Sequence, residues 1–273
     1  MKRKTILRPL YIEGVGLHKG EHVGLNIRPS SAGGIVFVRD GTKIPARPEN
    51  VVDTRLNTTI GKGDVCISTV EHLMSALYGL GITECEIEIK GEELPSMDGS
   101  ALPFVRQLDK AGIKELDQDI FPIEIKSPIV VGDNNSRVEV YPGAFSLSYR
   151  IEFEDPAIGR QEYMFKGNNY VDEIAPARTF GRLCDIEQMA KMGLALGGGL
   201  HNAVLVDREN IINPEGLRFK DEFVRHKVLD ILGDLWLLGS PIKGEIKAAR
   251  ANHRLHIELI SKIREIYCRI QEQ

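Results

Sequence analysis

The chain has 273 residues, enough for one large domain or two of ordinary size with a core that needs no staples. Its 42% hydrophobic and 27% charged content is that of an ordinary soluble globular protein. A formal net charge of -4 leaves no domain-wide basic excess to neutralise phosphates, which argues against a nucleic-acid partner.

The opening MKRKTILRPLYIEG is basic, but Arg8 and Pro9 break its apolar run, so it is not a signal peptide. No apolar run approaches the ~20 residues of a membrane span, so stable membrane insertion is not expected and a cytoplasmic location is. Cys66, Cys85, Cys184 and Cys268 are scattered, with no C-x-x-C pair, which fits reduced thiols and gives no cysteine metal site.

Residues 5–29 read as a hairpin around GVGLHKGE, with His18 a solvated turn histidine. Further short strands follow, and Leu56 is an apolar residue inside VVDTRLNTT. Residues 68–81, STVEHLMSALYGLG, predict a helix. Ser68 or Thr69 is a good N-cap, Glu71 stands where a capping box places its acid, Leu73, Leu77 and Leu80 recur at helical spacing, and Gly81 ends it. ITECEIEIKG is an alternating strand, and a helix is expected over residues 101–112.

The charged, proline-bearing KELDQDIFPIEIK places a domain boundary near Gln118, dividing the chain into 1–118 and 119–273. Beyond it IEIKSPIVV, RVEVYP, FSLSYRIEF and QEYMFKG predict strands of an antiparallel sheet. An insertion over about residues 181–206 combines a short helix, a glycine-rich turn and a short strand. Its Ile186, Met189, Leu194, Leu196 and Val204 read equally well as a lined groove or as plain packing. PIKGEIKAARA is a strand and RLHIELISKIREIYCRIQ an amphipathic terminal helix.

The most informative stretch is residues 221–239, DEFVRHKVLDILGDLWLLG. His226, Asp230 and Asp234 follow at intervals of four, and each interval advances a helix about 40° past a full turn, so all three fall within roughly 80° of arc. Val228, Leu229, Ile231, Leu232, Leu235, Trp236 and Leu238 cover the other sides, as on a buried helix. Two carboxylates and an imidazole there need compensation, and a metal ion supplies it.

A catalytic zinc takes three imidazole or carboxylate ligands and keeps one open position. His226 and Asp230 supply two, and His72 is the best candidate for the third. Glu71 beside it could then serve as general base. Against this, Glu71 could be only the capping partner of Ser68 and His72 a core histidine; the two readings weigh about evenly. For His226 and Asp230, a metal is favoured over a buried ion pair, because Asp234 adds a second negative charge.

Asp234 reads better as the partner that orients a histidine than as a ligand. His253, at the end of GEIKAARA, is that histidine by position, with His256 not excluded by spacing. There is also an internal echo. EHLMSALYGLGITECEIEI and RHKVLDILGDLWLLGSPIKGEIKA each run from a histidine through a Leu-Gly helix end into a strand, suggesting two similar domains with both histidines at the seam.

STVEHL, ARTFG, GLRFKDEFVRHKVLDILGDLWLLG and the downstream histidine, with GVGLHKG and PSMDGSALPFV, cover nearly the whole chain in order. Together they resemble the zinc-dependent UDP-3-O-acyl-N-acetylglucosamine deacetylases of lipid A synthesis. The resemblance implies an α+β fold of two similar two-layer α/β sandwich domains packed face to face, each with a small insertion and the active site between them. It implies one catalytic zinc on His72, His226 and Asp230, Glu71 as general base, His253 as general acid and Asp234 as its support. Thr179 would help hold the oxyanion, Lys227 would meet the sugar nucleotide, and Phe180, Leu56 and the insertion with Ile186 would line the acyl path. The substrate so implied is an acylated UDP-amino-sugar, in the cytoplasm of a Gram-negative-type bacterium, and we expect a monomer.

In one place the chain departs from that family, which usually has glycine before the acid histidine where this chain has Asn252. Asparagine tolerates left-handed angles better than most residues, so the turn is expected to survive. Two rival classes remain. A zinc amidohydrolase of a soluble acetamido sugar would have no use for an apolar insertion. A non-catalytic sugar-nucleotide-binding module with a structural zinc would close its site with four ligands, whereas three and a base are counted here.

Overall fold

In the computed structural model of the chain, which describes residues 1–267, two sets of elements repeat one plan. The first comprises β1 (Lys2–Ile6), β2 (Leu10–Val15), β3 (His22–Arg28), β4 (Ile35–Arg39), β5 (Thr42–Pro45), β6 (Val51–Asp53), β7 (Thr59–Lys62), β8 (Val65–Ile67), α1 (Glu71–Leu80), β9 (Cys85–Lys90), α2 (Leu102–Ala111) and β10 (Ile113–Asp119). The second begins with β11 (Ile123–Glu124), β12 (Ile129–Gly132), β13 (Arg137–Tyr141), β14 (Ser146–Glu152), β15 (Arg160–Phe165), α3 (Tyr170–Glu173), β16 (Phe180–Arg182) and α4 (Leu183–Lys191). It continues with β17 (Val204–Asp207), β18 (Asn210–Ile211), α5 (Glu222–Trp236), β19 (Ile242–Lys243), β20 (Glu245–Ala249) and α6 (His253–Tyr267).

Each set builds a five-stranded sheet, ordered β2-β3-β9-β4-β5 in one and β12-β13-β20-β14-β15 in the other. Each sheet has a single parallel pair, β4 with β9 and β14 with β20. Each set also inserts a three-stranded sheet, β6-β7-β8 or β16-β17-β18, ahead of its long helix. The internal echo in the sequence is thus the trace of a repeated α+β unit.

The second sheet is mixed, not antiparallel as expected. Alternation along a strand reports which face is buried and is blind to the direction of the neighbour. The chain returns from α5 to lay β20 between β13 and β14, parallel to β14. Val138, Val140, Leu147, Tyr149, Ile151, Ile246 and Ala248 point inward from these strands, against α5 and α6. IEIKSPIVV is likewise two strands, because β11 leaves the sheet to pair with β19. PIKGEIKAARA breaks at Gly244, where a Cβ would lie 2.9 Å from the Ile125 side chain and 3.0 Å from the Tyr141 carbonyl.

Helix α1 starts without the expected capping box. Val70 takes the N-cap position with no side-chain bond, Ser68 Oγ donates to the Glu92 carbonyl, and the Glu71 carboxylate faces away toward Thr58. Its end is as expected, with Gly81 in the left-handed region at φ 66°. At the start of α6 the Asn252 Oδ1 accepts the Leu255 N–H at 3.2 Å, so this residue acts as a helix cap. The left-handed angle in that turn belongs to Arg250, at φ 47°, and not to Asn252.

The two units meet along α1 and α5. They pack tightly at Gly233, where a Cβ would stand 2.1 Å from the Glu71 carbonyl oxygen. Gly233→Ala is therefore expected to push the helices apart and destabilise the protein by about 1–3 kcal/mol, as overpacking does. Denaturant unfolding measures this, and an unchanged midpoint would show that the crossing tolerates a side chain. Cys66, Cys85 and Cys184 are free thiols, whereas Cys268 and the expected continuation of the terminal helix lie outside the described residues. Among the described residues no helix is long and apolar enough to cross a membrane.

Candidate active site

The α1–α5 crossing brings Glu71 and His72 from one unit against His226, Asp230 and Asp234 from the other. His72 and His226 stand edge to face with ring centroids 5.1 Å apart. One ligand atom from each of His72, His226 and Asp230 lies within 4.8 Å of the others, and all three residues are buried. His226 Nδ1 is 3.1 Å from the Ala177 carbonyl, which can only accept, so that nitrogen carries the proton. Burial lowers the pKa of His226, so the ring is neutral and its Nε2 presents a lone pair 3.3 Å from Asp230 Oδ1.

Two acceptors face each other there with no proton between them. His72 adds a second neutral ring, its pKa lowered to about 3 by burial and by the neighbouring His226, and its buried Nδ1 has no hydrogen-bond partner among the described residues. Burial opposes charge on Asp230, but the Lys227 ammonium 2.8 Å from Oδ2 and the His253 ring hold the carboxyl well below its usual range. Two neutral imidazoles converging with an ionised carboxylate, with no proton shared between Asp230 Oδ1 and His226 Nε2, fit a divalent metal with a position left open.

Beside this cluster, Thr58 ties Glu71 to Asp234. Its N–H donates to Glu71 Oε2 at 2.9 Å and its hydroxyl donates to Asp234 Oδ1 at 2.6 Å. Burial, with Asp230 and Asp234 nearby, raises the Glu71 carboxyl to about 8. Asp234 Oδ2 accepts from His253 Nδ1 at 2.8 Å. Burial opposes charge on His253, yet the Asp234 carboxylate prevails and raises it to about 9. Its free Nε2 points toward the cluster, 3.9 Å from Asp230 Oδ2. The site therefore pairs a carboxyl that can take a proton once ionised with an imidazolium that can give one.

A cavity of about 880 Å³ adjoins the site, lined in part by Asn57 and Thr59, which flank Thr58. Leu56, Met189, Met192 and Leu194 give it an apolar wall, drawn from the loop before β7 and from the α4 insertion. Ile186, one helical turn from Met189 on α4, is not among the lining residues. His18 also lines the cavity. It is not a solvated turn residue: it is 6% exposed, and its backbone N–H donates to Glu93.

The chain matches, over residues 3–265, the family described as UDP-3-O-acyl N-acetylglycosamine deacetylase. It belongs to this family. Relatives named UDP-3-O-acyl-N-acetylglucosamine deacetylase include one from Campylobacter hominis, 47% identical over 95% of this chain and 90% of the relative. Another from Geotalea uraniireducens is 44% identical over 96% of this chain and 88% of the relative. One from Nautilia profundicola is 45% identical over 94% and 89%.

In this deacetylase-family member the structure brings His72, His226, Asp230, Glu71, Asp234 and His253 into one buried cluster. Thr179 stands two residues from the Ala177 carbonyl that fixes His226, with its backbone clamped between Gly99 and Val204. Phe180 packs on Phe223, Phe153 and His226 at centroid distances of 4.9, 5.6 and 6.3 Å, at the metal side and not in the cavity wall. Lys227 Nζ lies 5.6 Å from the Phe180 ring centre while it pairs with Asp230.

Sequence reasoning missed Thr58, and no spacing signal marks a threonine just before a strand as the link between two distant carboxylates. It also missed the Arg178–Glu222 pair. Arg178 Nε donates to Glu222 Oε1 at 2.8 Å, both side chains being buried, and this anchors the ARTFG segment to the start of α5. An arginine beside Thr179 and an acid in the first turn of the metal helix could have suggested it.

Proposed function

We propose that this protein hydrolyses the N-acetyl group of UDP-3-O-acyl-N-acetylglucosamine, releasing acetate and the free 2-amino sugar nucleotide for lipid A synthesis. The observation that carries the reading is the convergence of three ligand groups beside Glu71 and the Asp234–His253 pair, which one threonine links. We take the metal to be zinc, the usual choice for two imidazoles, a carboxylate and an open position. Zinc there supplies positive charge that polarises the acetamide carbonyl and acidifies the attacking water.

The ionised Glu71 takes the water proton as the water oxygen bonds to the acetamide carbon, and the Thr58 N–H steadies the carboxylate. The Thr179 hydroxyl donates to the oxygen that gains charge. His253 then gives its Nε2 proton to the sugar nitrogen as the carbon–nitrogen bond breaks, and Asp234 holds the ring in place. Lys227 meets the nucleotide and Phe180 flanks the metal side. The acyl chain runs into the cavity walled by Leu56 and the α4 insertion. We place the protein in the cytoplasm of a Gram-negative-type bacterium, as a monomer divided near residue 118.

Acetate release from acylated and non-acylated UDP-N-acetylglucosamine tests the substrate. The acylated compound is expected to turn over faster by at least about 10²-fold, since remote binding energy acts on the reacting centre. Equal rates would remove the acyl assignment. The pH profile tests the proton carriers. Glu71 must be ionised and His253 protonated, so the rate rises with pH through the Glu71 value of about 8 and falls near the His253 value of about 9. His253→Gln is expected to abolish that basic limb, and its survival would place the acid elsewhere.

A further inference from the structure

Asp234 Oδ2 accepts two imidazoles, His256 Nδ1 as well as His253 Nδ1, each at 2.8 Å. His256 is 1% exposed, stands outside the His72–His226–Asp230 cluster and does not line the cavity. Its ring joins Asp234 and His253 in a second group of mutually close ligand atoms, whose nitrogens face the carboxylate as hydrogen-bond donors. Its other nitrogen is 3.1 Å from the hydroxyl of Tyr149, a residue wholly buried in β14. That hydroxyl also lies 3.0 Å from the carbonyl of Ala251, two residues before His253.

Burial lowers the pKa of His256 and raises that of Tyr149, so the ring is neutral and the phenol protonated. A neutral ring has one N–H. Its Nδ1 faces a carboxylate that only accepts, so the proton sits there, and Nε2 accepts the Tyr149 hydroxyl that it shares with Ala251.

An aspartate's terminal torsion is broad, so a carboxylate held only by His253 and Thr58 could still rotate. A third donor removes that freedom. We propose that His256 is a positioning residue, backed by Tyr149, which fixes the Asp234 carboxylate so that His253 keeps its Nε2 aimed at the metal cluster. The proposal rests on the reading of His253 as the acid. The bland alternative is a satisfied core histidine that only fills space.

Two substitutions separate these. The amide nitrogen of asparagine takes the place of Nδ1 and that of glutamine the place of Nε2, and both side chains are polar enough to fold in that site. His256→Asn is expected to keep kcat within about threefold, whereas His256→Gln and His256→Leu lose about 10- to 100-fold, the range for a partner that orients a reactive group. KM and bound metal stay within about twofold in all three, because neither substrate nor metal touches this residue. Tyr149→Phe gives a smaller loss in kcat than His256→Leu.

Equal kcat for the asparagine and glutamine variants overturns the proposal, as does a loss confined to KM, metal content or melting temperature. His253→Ala, run alongside, separates the two levels. If it keeps its rate, the acid reading fails and this inference with it. If it loses its rate while asparagine and glutamine at 256 behave alike, only the role of His256 fails.

Discussion

Asp230→Ala is expected to lose its bound metal and its turnover together, with kcat/KM falling by at least about 10³-fold, or about 4 kcal/mol of transition-state stabilisation. Asp230 is the one anion among the three proposed ligands, and its Oδ1 faces His226 Nε2 at 3.3 Å and His72 Nε2 at 3.8 Å. Without it, two neutral imidazoles converge beside the Lys227 ammonium, which repels a cation. His226→Ala is expected to act the same way, since that ring is pre-oriented by the Ala177 carbonyl. Metal analysis of the purified variants checks both. Full metal and full turnover in either one would sink the ligand set.

Glu71→Gln is expected to part the two properties that Asp230→Ala loses together. Its carboxylate is bonded to the Thr58 N–H and belongs to no group of mutually close ligand atoms found among the described residues, so metal content should hold. A glutamine fills the same volume and still accepts that N–H, but it cannot take a proton, so the rate is expected to fall by about 10²- to 10⁴-fold. The paired measurement is bound metal against acetate release. A variant that loses metal would make Glu71 a ligand, and one that keeps its rate would remove it as the base.

How much of this was legible in the sequence differs by element. His226, Asp230 and Asp234 were readable because a helix converts intervals of four into one face, and α5 is that helix. The echo between the two Leu-Gly helix ends was readable for the same reason, and it proved to mark equivalent helices of two matching units. Residues of one element declare themselves by spacing.

What joins different elements was not readable. Thr58 lies 176 positions from Asp234, and no periodicity connects them. The direction of β20 followed from where the chain re-enters the sheet, which alternation does not encode. His18 misled because a glycine-rich turn usually lies in solvent, whereas here it folds onto Glu93 and the α4 insertion. The capping box misled because Glu71, at the right spacing for one, is turned toward Thr58. His253 and His256 could not be separated by spacing, since both reach the same Asp234 oxygen.

We propose that three converging ligands on α1 and α5 make this deacetylase of an acylated sugar nucleotide metal-dependent. Acetate release from acylated UDP-N-acetylglucosamine, measured on the protein stripped by a chelator and again after adding one equivalent of zinc, tests it most directly. The stripped protein should release no acetate above background, and one equivalent should restore turnover. Undiminished turnover in the stripped protein would contradict it.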